Sequence, residues 1–243
     1  MKGKLKFLNK WLHIIGYELN RYNPRHSEGF QLKRILDKNN IDLVIDVGAN
    51  NGGYGTHLRE IGYKGKMISF EPLANAYNKL IDRSKHDQNW NVAERMAIGD
   101  FDGETQINVS SNSTSSSILD IKDSHVDAAP ESNFVGKETV KIRTLDSLIG
   151  KELPATVSNA FLKIDVQGYE KQVLEGAKKL LKHIKGIQSE MSLVPLYENQ
   201  IIYDEFISRM KKDNFNIHAI FPGFMNKKTG QLLQFDGIFI ENH

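Results

Sequence analysis

The chain has 243 residues, of which 40% are hydrophobic and 26% charged, and this suits one globular α/β domain with an appendage. It contains no cysteine, which excludes disulfides, cysteine-ligated zinc and thiolate chemistry. The net charge of +2 divides into +5 for residues 1–25, which contain six Lys or Arg and one acid, Glu18, and −3 for the rest. The body is therefore mildly acidic, which argues against a nucleic-acid substrate.

The first segment predicts an amphipathic helix with a basic face. Apolar residues recur at helical spacing from Leu5 to Leu19, and Phe7, Trp11 and Ile14 widen the stripe. Such a helix can lie on an anionic membrane surface, whereas one that packs on its own domain or on a partner has the same pattern. No apolar run approaches the ~20 residues of a membrane span, and no signal-peptide cleavage pattern is visible, so we expect a cytoplasmic protein.

The N-terminal region and the main domain are divided near residue 40. Residues 22–29 are polar and contain Pro24, which predicts a linker, and residues 30–36 predict a short helix. We therefore expect a helical extension over residues 1–40 and a single catalytic domain over residues 41–243.

Strands and helices alternate along the domain, which indicates parallel βαβ units. Before an interruption the predicted elements are strands 43–47, 66–70 and 91–97, a helix running through Leu58 and a helix 74–84. After it they are strand 160–164, helix 169–181, strand 186–191, helix 202–212 and strands 216–221 and 232–240. The connection between the last two strands is too short for a helical crossover, so they should pair antiparallel.

The interruption, around residues 104–143, predicts an inserted hairpin. Residues 104–109 and 139–143 show the period of strands, and between them lie a Ser-rich stretch, 110–117, and a polar loop as far as Phe134. A long structureless loop is either a lid over a site or disordered, and both interpretations stay open. His125 lies in this loop, and a lone histidine is more often structural than catalytic.

The first strand leads into a glycine-rich turn that predicts a cofactor site. The run Val44-Ile45-Asp46-Val47 precedes Gly48 and Gly52, which let the backbone turn sharply and approach a ligand, and the next helix offers free N–H groups. The spacing Asp46-x-Gly48-x-x-x-Gly52 is not the Gly-x-Gly-x-x-Gly of dinucleotide-binding folds, which favours S-adenosylmethionine over NAD. Glu71, 23 residues after Gly48, ends the second strand where a carboxylate accepts hydrogen bonds from a ribose diol.

Four segments together resemble the FkbM-type methyltransferases, from about residue 41 to the C-terminus. They are residues 44–50, Phe70-Glu71-Pro72, Thr144-Leu145-Asp146 and residues 163–170. The resemblance implies S-adenosylmethionine binding and O-methylation of sugars, polysaccharide precursors or polyketide-type natural products. It also implies a Rossmann-like α/β fold with a mostly parallel seven-stranded sheet, an antiparallel last strand and helices on both faces. Gln167 departs from the family, which usually has an acid there.

Candidate catalytic residues follow from the strand ends. Asp165 ends the fourth parallel strand and should face the same crevice as Gly48. A hydroxyl is a poor nucleophile until a base accepts its proton or a metal acidifies it, and Asp165 suits either role. Glu190 ends the next strand, so the pair predicts a catalytic site and raises the alternative of a divalent cation such as magnesium. Helix capping, or pairing with Lys163 or Lys171, explains the same acids.

Motif position suggests further cofactor contacts. We expect Asp46, Gly48, Asn50 and Gly52 to hold the methionine portion, together with Tyr54. Asp100 closes the third strand, where it could accept the adenine amino group, although turn formation explains it equally well.

These patterns predict an O-methyltransferase that acts on a hydroxyl of a saccharide, glycoconjugate or natural-product acceptor. The alternatives are a cofactor-binding module without turnover, with Gln167 reporting lost chemistry, and an NAD-dependent oxidoreductase. Nucleic-acid and amine methylation are disfavoured because residues 165–168 lack an Asn/Asp-Pro-Pro-Tyr/Phe segment. The sequence leaves the oligomeric state open.

Overall fold

A computed structural model describes residues 2–19 and 27–242, with the side chains of residues 2–5 outside the description. The strands are β1 (Leu43–Val47), β2 (Lys66–Phe70), β3 (Trp90–Val92), β4 (Ala97–Ile98), β5 (Gly103–Ser110), β6 (Phe134–Arg143), β7 (Ala160–Ile164), β8 (Ile184–Ser192), β9 (Phe215–Pro222) and β10 (Gln234–Glu241). The helices are α1 (Lys2–Leu12), α2 (Glu28–Lys38), α3 (Gly53–Glu60), α4 (Ala74–Ser84), α5 (Asp123–Ala128), α6 (Glu170–Glu175) and α7 (Tyr203–Lys212).

Seven strands form the main sheet in the order β3-β2-β1-β7-β8-β10-β9. The first five of these are parallel to one another. β10 pairs antiparallel with both of its neighbours, so it is the one reversed strand and lies between β8 and β9 rather than at the edge. The predicted fold class, a mostly parallel seven-stranded sheet with an antiparallel last strand, is confirmed.

Helices cover both faces of this sheet. Ile45 of β1 packs in one apolar cluster with Phe206 of α7, whereas the adjacent Val44 packs in a second cluster with Leu36 of α2 and Leu58 of α3. The alternation follows from the two-residue period of a strand. Because α2 contributes to the second cluster, part of the predicted extension is packed into the body, and the division at residue 40 stays a prediction.

The predicted strand 91–97 is wrong, because the chain divides it between two sheets. β3 pairs with β2 in the main sheet, and β4 pairs with β6 in a separate three-stranded sheet, β4-β6-β5. Between them Arg95 pairs with Glu138 of β6 at 3.0 Å, and Glu94 pairs with Lys141 of the same strand. These ion pairs hold the chain where it crosses from one sheet to the other.

The predicted helix 169–181 is too long. α6 ends at Glu175, and Gly176 lies so close to Gly99 that a Cβ there would be 1.9 Å from the Gly99 carbonyl oxygen. The chain then forms a short 3-10 turn, whose backbone N–H groups donate to Asp146: Lys179 at 2.9 Å and Leu180 at 2.9 Å. Asp146 of the family motif therefore has a structural role.

The insertion is the predicted hairpin, with β5 and β6 antiparallel, but its long loop is not structureless. α5 lies within it, and a bridge between Ile121 and Tyr197 attaches it to the body. The Lys122 N–H donates to the Leu196 carbonyl at 2.9 Å. The loop therefore packs as a wall rather than projecting as a free tip.

The N-terminal helix is shorter than predicted. α1 ends at Leu12 and continues as a 3-10 turn to Ile15, where Gly16 ends it in the left-handed conformation. Residues 22–26 of the predicted linker, 22–29, lie outside the described residues, and the end of the linker belongs to α2, for which Ser27 is the N-cap. In the described part of the chain no helix is long and apolar enough to cross a membrane.

Replacement of Gly176 by alanine tests why α6 ends where it does. We expect Gly176→Ala to lower the free energy of unfolding by roughly 1–3 kcal/mol or more, because the new Cβ would overlap the Gly99 carbonyl. Gly136→Ala in β6 is the matched control, since nothing lies within 4 Å of its Cβ position. Urea unfolding measures both, and equal stability of the two variants would contradict the account.

Candidate active site

One cavity of about 810 Å³ lies where the carboxyl ends of β1, β2 and β7 meet. The turn after β1 and the end of β2 line one side, and the Ser-rich segment of the insertion lines the other. In open α/β sheets ligands bind at this end of the strands. The cavity is therefore the place to look for the predicted site residues.

The turn after β1 has three left-handed residues in five, namely Gly48 (φ 79°), Asn50 (φ 47°) and Gly52 (φ 83°). A Cβ at Gly48 would lie 1.9 Å from the Asp165 carbonyl oxygen, so only glycine fits there. Gly48 and Asn50 line the cavity, whereas Gly52 caps α3 behind them and packs toward Trp90. The left-handed residues therefore turn the chain sharply between β1 and α3 beside the cavity.

Glu71 lies beside this turn at the end of β2. Its side chain is buried, with one carboxylate oxygen accepting from the Asn50 N–H at 2.8 Å and the other from the Leu73 N–H at 2.9 Å. Burial raises the pKa of Glu71 to about 7, although these hydrogen bonds oppose the shift. Each oxygen keeps a lone pair for a further donor, such as a ribose hydroxyl.

A buried lysine, Lys163, lines the cavity. Lys163 Nζ is 3.3 Å from Asp46 Oδ1, 3.3 Å from Asp165 Oδ2 and 3.3 Å from the Gly48 carbonyl. Burial opposes the charge of Lys163, but the two carboxylates hold its pKa above the ordinary value. Asp46 is buried below the cavity and does not line it. The sequence suggested Lys163 only as an alternative partner for the acids.

Gln167 joins the two predicted catalytic acids. Its Nε2 donates to Asp165 Oδ1 at 2.8 Å and to Glu190 Oε2 at 3.1 Å. Gln234 also donates to Glu190 Oε2, at 2.7 Å, and Asp236 lies opposite Glu190 in the β8–β10 register. Burial, with Asp165 and Asp236 nearby, raises the pKa of Glu190 well above its ordinary value. The predicted neighbours are thus brought together, through the residue that departs from the family pattern.

Sequence reasoning missed Gln188 and Asp236, two polar residues that also line the cavity. Tyr54 donates to Gln188 Oε1 at 2.9 Å, and Gln188 donates to Asp236 Oδ1 at 3.3 Å. The Tyr54 ring also lies 5.3 Å from Lys163 Nζ. Burial raises the pKa of Asp236 to about 6. Polar side chains inside otherwise apolar strands are the signal that could have identified these residues, since they are costly to bury without a purpose.

Asp100 is not brought to the cavity. It is exposed in the turn after β4, outside the cavity lining, and Tyr169 donates to it at 3.4 Å. The chain turns back toward β5 there, so Ala97 and Ile98 of β4 face the cavity instead. The predicted adenine contact by Asp100 therefore has no geometric support.

The two acids fit a metal ion poorly. Within residues 2–19 and 27–242 no group of three or more His, Cys, Asp or Glu side chains is placed to hold one. The ammonium of Lys163 already lies 3.3 Å from Asp165, and two amides donate to Glu190. A hard cation binds through oxygen ligands, and three of the four carboxylate oxygens of this pair already accept hydrogen bonds from Lys163, Gln167 or Gln234.

The far wall of the cavity is rich in hydroxyl groups. Residues 112–117 line it with Ser132, whose Oγ lies 3.0 Å from Ser115 Oγ. His125 packs edge-on to Tyr197, with ring centroids 5.2 Å apart, and its buried Nδ1 has no hydrogen-bond partner. Burial lowers the pKa of His125 to about 4, so its ring is neutral at pH 7. This wall offers uncharged hydrogen-bonding groups.

The sheet order, the glycine turn and the buried acid after β2 define an S-adenosylmethionine-dependent methyltransferase of the α/β class. The sequence model described as "Methyltransferase FkbM domain" matches residues 46–217, and the chain belongs to this family.

Individual relatives are more distant. The 2-O-methyltransferase NoeI of Sinorhizobium fredii is 24% identical over 203 residues, which cover 79% of each chain. Among solved structures, M. capricolum TrmK, determined with S-adenosylhomocysteine, is 10% identical with a TM-score of 0.48, over 88% of this chain and 68% of that one. An rRNA methylase from Streptococcus thermophilus is 11% identical with a TM-score of 0.47, over 93% and 100%. These two structures are too distant to bear on function.

Removal of the buried ammonium tests whether it holds the site together. We expect Lys163→Met to lower the free energy of unfolding by about 3–5 kcal/mol, because Asp46 loses its counter-charge while buried. The exposed Lys182→Met is the control. Adding Asp46→Asn to Lys163→Met should recover part of the loss in urea unfolding. A Lys163→Met protein as stable as the wild type would contradict the role.

Proposed function

We propose that the chain transfers a methyl group from S-adenosylmethionine to a hydroxyl of a saccharide, glycoconjugate or natural-product acceptor. The observation that carries the proposal is the linked pair of Asp165 and Glu190, which lies in the same cavity as the cofactor turn. The hydroxyl-rich wall and the similarity to a 2-O-methyltransferase support it. A cytoplasmic location and an acceptor other than nucleic acid stay predictions from the sequence.

The cofactor would occupy the side of the cavity formed by the turn after β1. Gly48 and Asn50 leave room for the methionine portion, with Tyr54 packed against it, and Glu71 accepts hydrogen bonds from the ribose. Gly52 and Asp46 act indirectly: the first caps α3, and the second binds Lys163 below the turn. Asp100 is left out of this assignment.

The acceptor would lie between the cofactor side and the hydroxyl-rich wall. The cofactor supplies an electrophilic methyl group on a positively charged sulfur. As the acceptor oxygen forms its bond to the methyl carbon, the carbon–sulfur bond breaks and leaves a neutral thioether, so the hydroxyl proton must go to a base. Glu190 is the proposed proton acceptor, because a carboxylate with a raised pKa is a stronger base than an ordinary glutamate. Asp165, held by Lys163 and Gln167, orients the hydroxyl.

Methyl transfer to pyranosides with free hydroxyls, compared with their fully O-methylated counterparts, tests this assignment. We expect S-adenosylhomocysteine to form only with the first set. Glu190→Gln should lower kcat by about 10²-fold or more while S-adenosylhomocysteine binding is retained. In the wild type kcat/KM should rise with pH until Glu190 is ionised, above the ordinary glutamate range, and this limb should disappear in Glu190→Gln.

Two outcomes would contradict the proposal. Cofactor binding without transfer to any hydroxylated acceptor would favour a binding module. Full activity of Glu190→Gln with an unchanged pH profile would show that another residue accepts the proton. Asp165→Asn would then be the next variant to measure.

A further inference from the structure

The N-terminal segment carries a large apolar surface that the rest of the described chain leaves open. Phe7 is 67% exposed, Trp11 61%, Ile14 74% and Ile15 65%. Soluble domains rarely display aromatic and aliphatic side chains side by side in this way, and such a patch marks an interaction site. The methyl-transfer site does not use it.

A stripe of exposed lysines lies beside the apolar patch on the same helix. Phe7 and Trp11 are four residues apart in α1, which places them on one face, and Ile14 follows in the 3-10 turn. Lys6 and Lys10 begin a second stripe, one residue earlier, that is also exposed and carries positive charge. The basic stripe and the apolar stripe are therefore adjacent, about 100° apart around the helix.

Charge decides what can cover this surface. The first 17 residues contain four Lys and no Asp or Glu, so a second copy of the helix would be repelled. An anionic lipid surface satisfies both faces, since headgroups attract the lysines while the apolar side chains enter the acyl boundary. Trp and Tyr favour that interface, and here Trp11 and Tyr17 are both exposed.

The length of the helix sets its orientation. α1 has 11 residues, which at 1.5 Å per residue gives about 16 Å, roughly half of the ~30 Å hydrocarbon core of a bilayer. We propose that residues 2–19 dock the protein flat on an anionic bilayer surface, with Phe7, Trp11 and Ile14 inserted and Lys6 and Lys10 at the headgroups. This binding surface goes beyond the proposed methyl transfer and does not depend on it.

Co-sedimentation of the full chain with phosphatidylglycerol-containing vesicles tests the proposal, with pure phosphatidylcholine vesicles as the comparison. We expect binding to the anionic vesicles and a blue shift of tryptophan emission. The shift reports Trp11, because the other tryptophan, Trp90, is buried.

Variants separate the two faces. Phe7→Ser with Trp11→Ser should abolish co-sedimentation, and Lys6→Glu with Lys10→Glu should weaken it about tenfold or more. Lys137→Glu with Lys151→Glu, an equal charge change at exposed positions on the body, should weaken it much less. Retained S-adenosylhomocysteine binding in every variant shows that the fold is intact.

Three results would overturn the proposal. The first is no binding to anionic vesicles at low salt, and the second is binding that survives Phe7→Ser with Trp11→Ser. The third is a concentration-dependent dimer that this double variant abolishes without any vesicle binding, which would make a second copy the occupant.

Discussion

The site depends on the ion pairs that the buried ammonium of Lys163 forms with Asp46 and Asp165. It lies between Asp46 of β1, Asp165 after β7 and the carbonyl of Gly48. Two neighbouring parallel strands are thereby joined at their carboxyl ends, and the glycine turn is fixed between them. A charge so deeply buried is tolerable only when it is paired and hydrogen-bonded, so the carboxylates and the lysine require one another.

The same arrangement gathers carboxyl groups around the cavity, where ionisation of each is disfavoured. Glu71, Glu190 and Asp236 all have raised pKa values, because burial removes their hydration and like charges lie near. Such a site costs stability in the free protein and favours a positively charged ligand. A sulfonium cofactor meets that condition, and its conversion to a neutral thioether removes the attraction when the methyl group leaves.

The sequence predicted correctly those strands and helices that depend mainly on their own residues. β1, β2, β7 and α4 have the predicted bounds, since each is an apolar or amphipathic run between clear turn signals. The errors arose from contacts distant in sequence: Arg95 with Glu138 divides the third strand, and Gly176 against Gly99 shortens α6. No pattern within one segment reports such contacts.

The site residues likewise divide into those that the sequence predicted and those that depend on contacts distant in sequence. Gly48, Glu71 and Asp165 followed from motif position at strand ends, and the structure places all three at one cavity. Asp236 and Gln234 were not predicted, because they lie beside Glu190 only as a result of the pairing of β10 with β8. Asp100 was also predicted from a strand end, but the structure places it exposed in the turn after β4, outside the cavity lining.

Calorimetric titration with S-adenosylhomocysteine tests the central claim, that the cavity beside Gly48 and Glu71 holds the cofactor, most directly. The account predicts binding by the wild type, binding weakened by Glu71→Ala, unchanged binding by Asp100→Ala, and no binding of NADH. A well-folded protein that does not bind S-adenosylhomocysteine, or that loses binding equally in both variants, would contradict it.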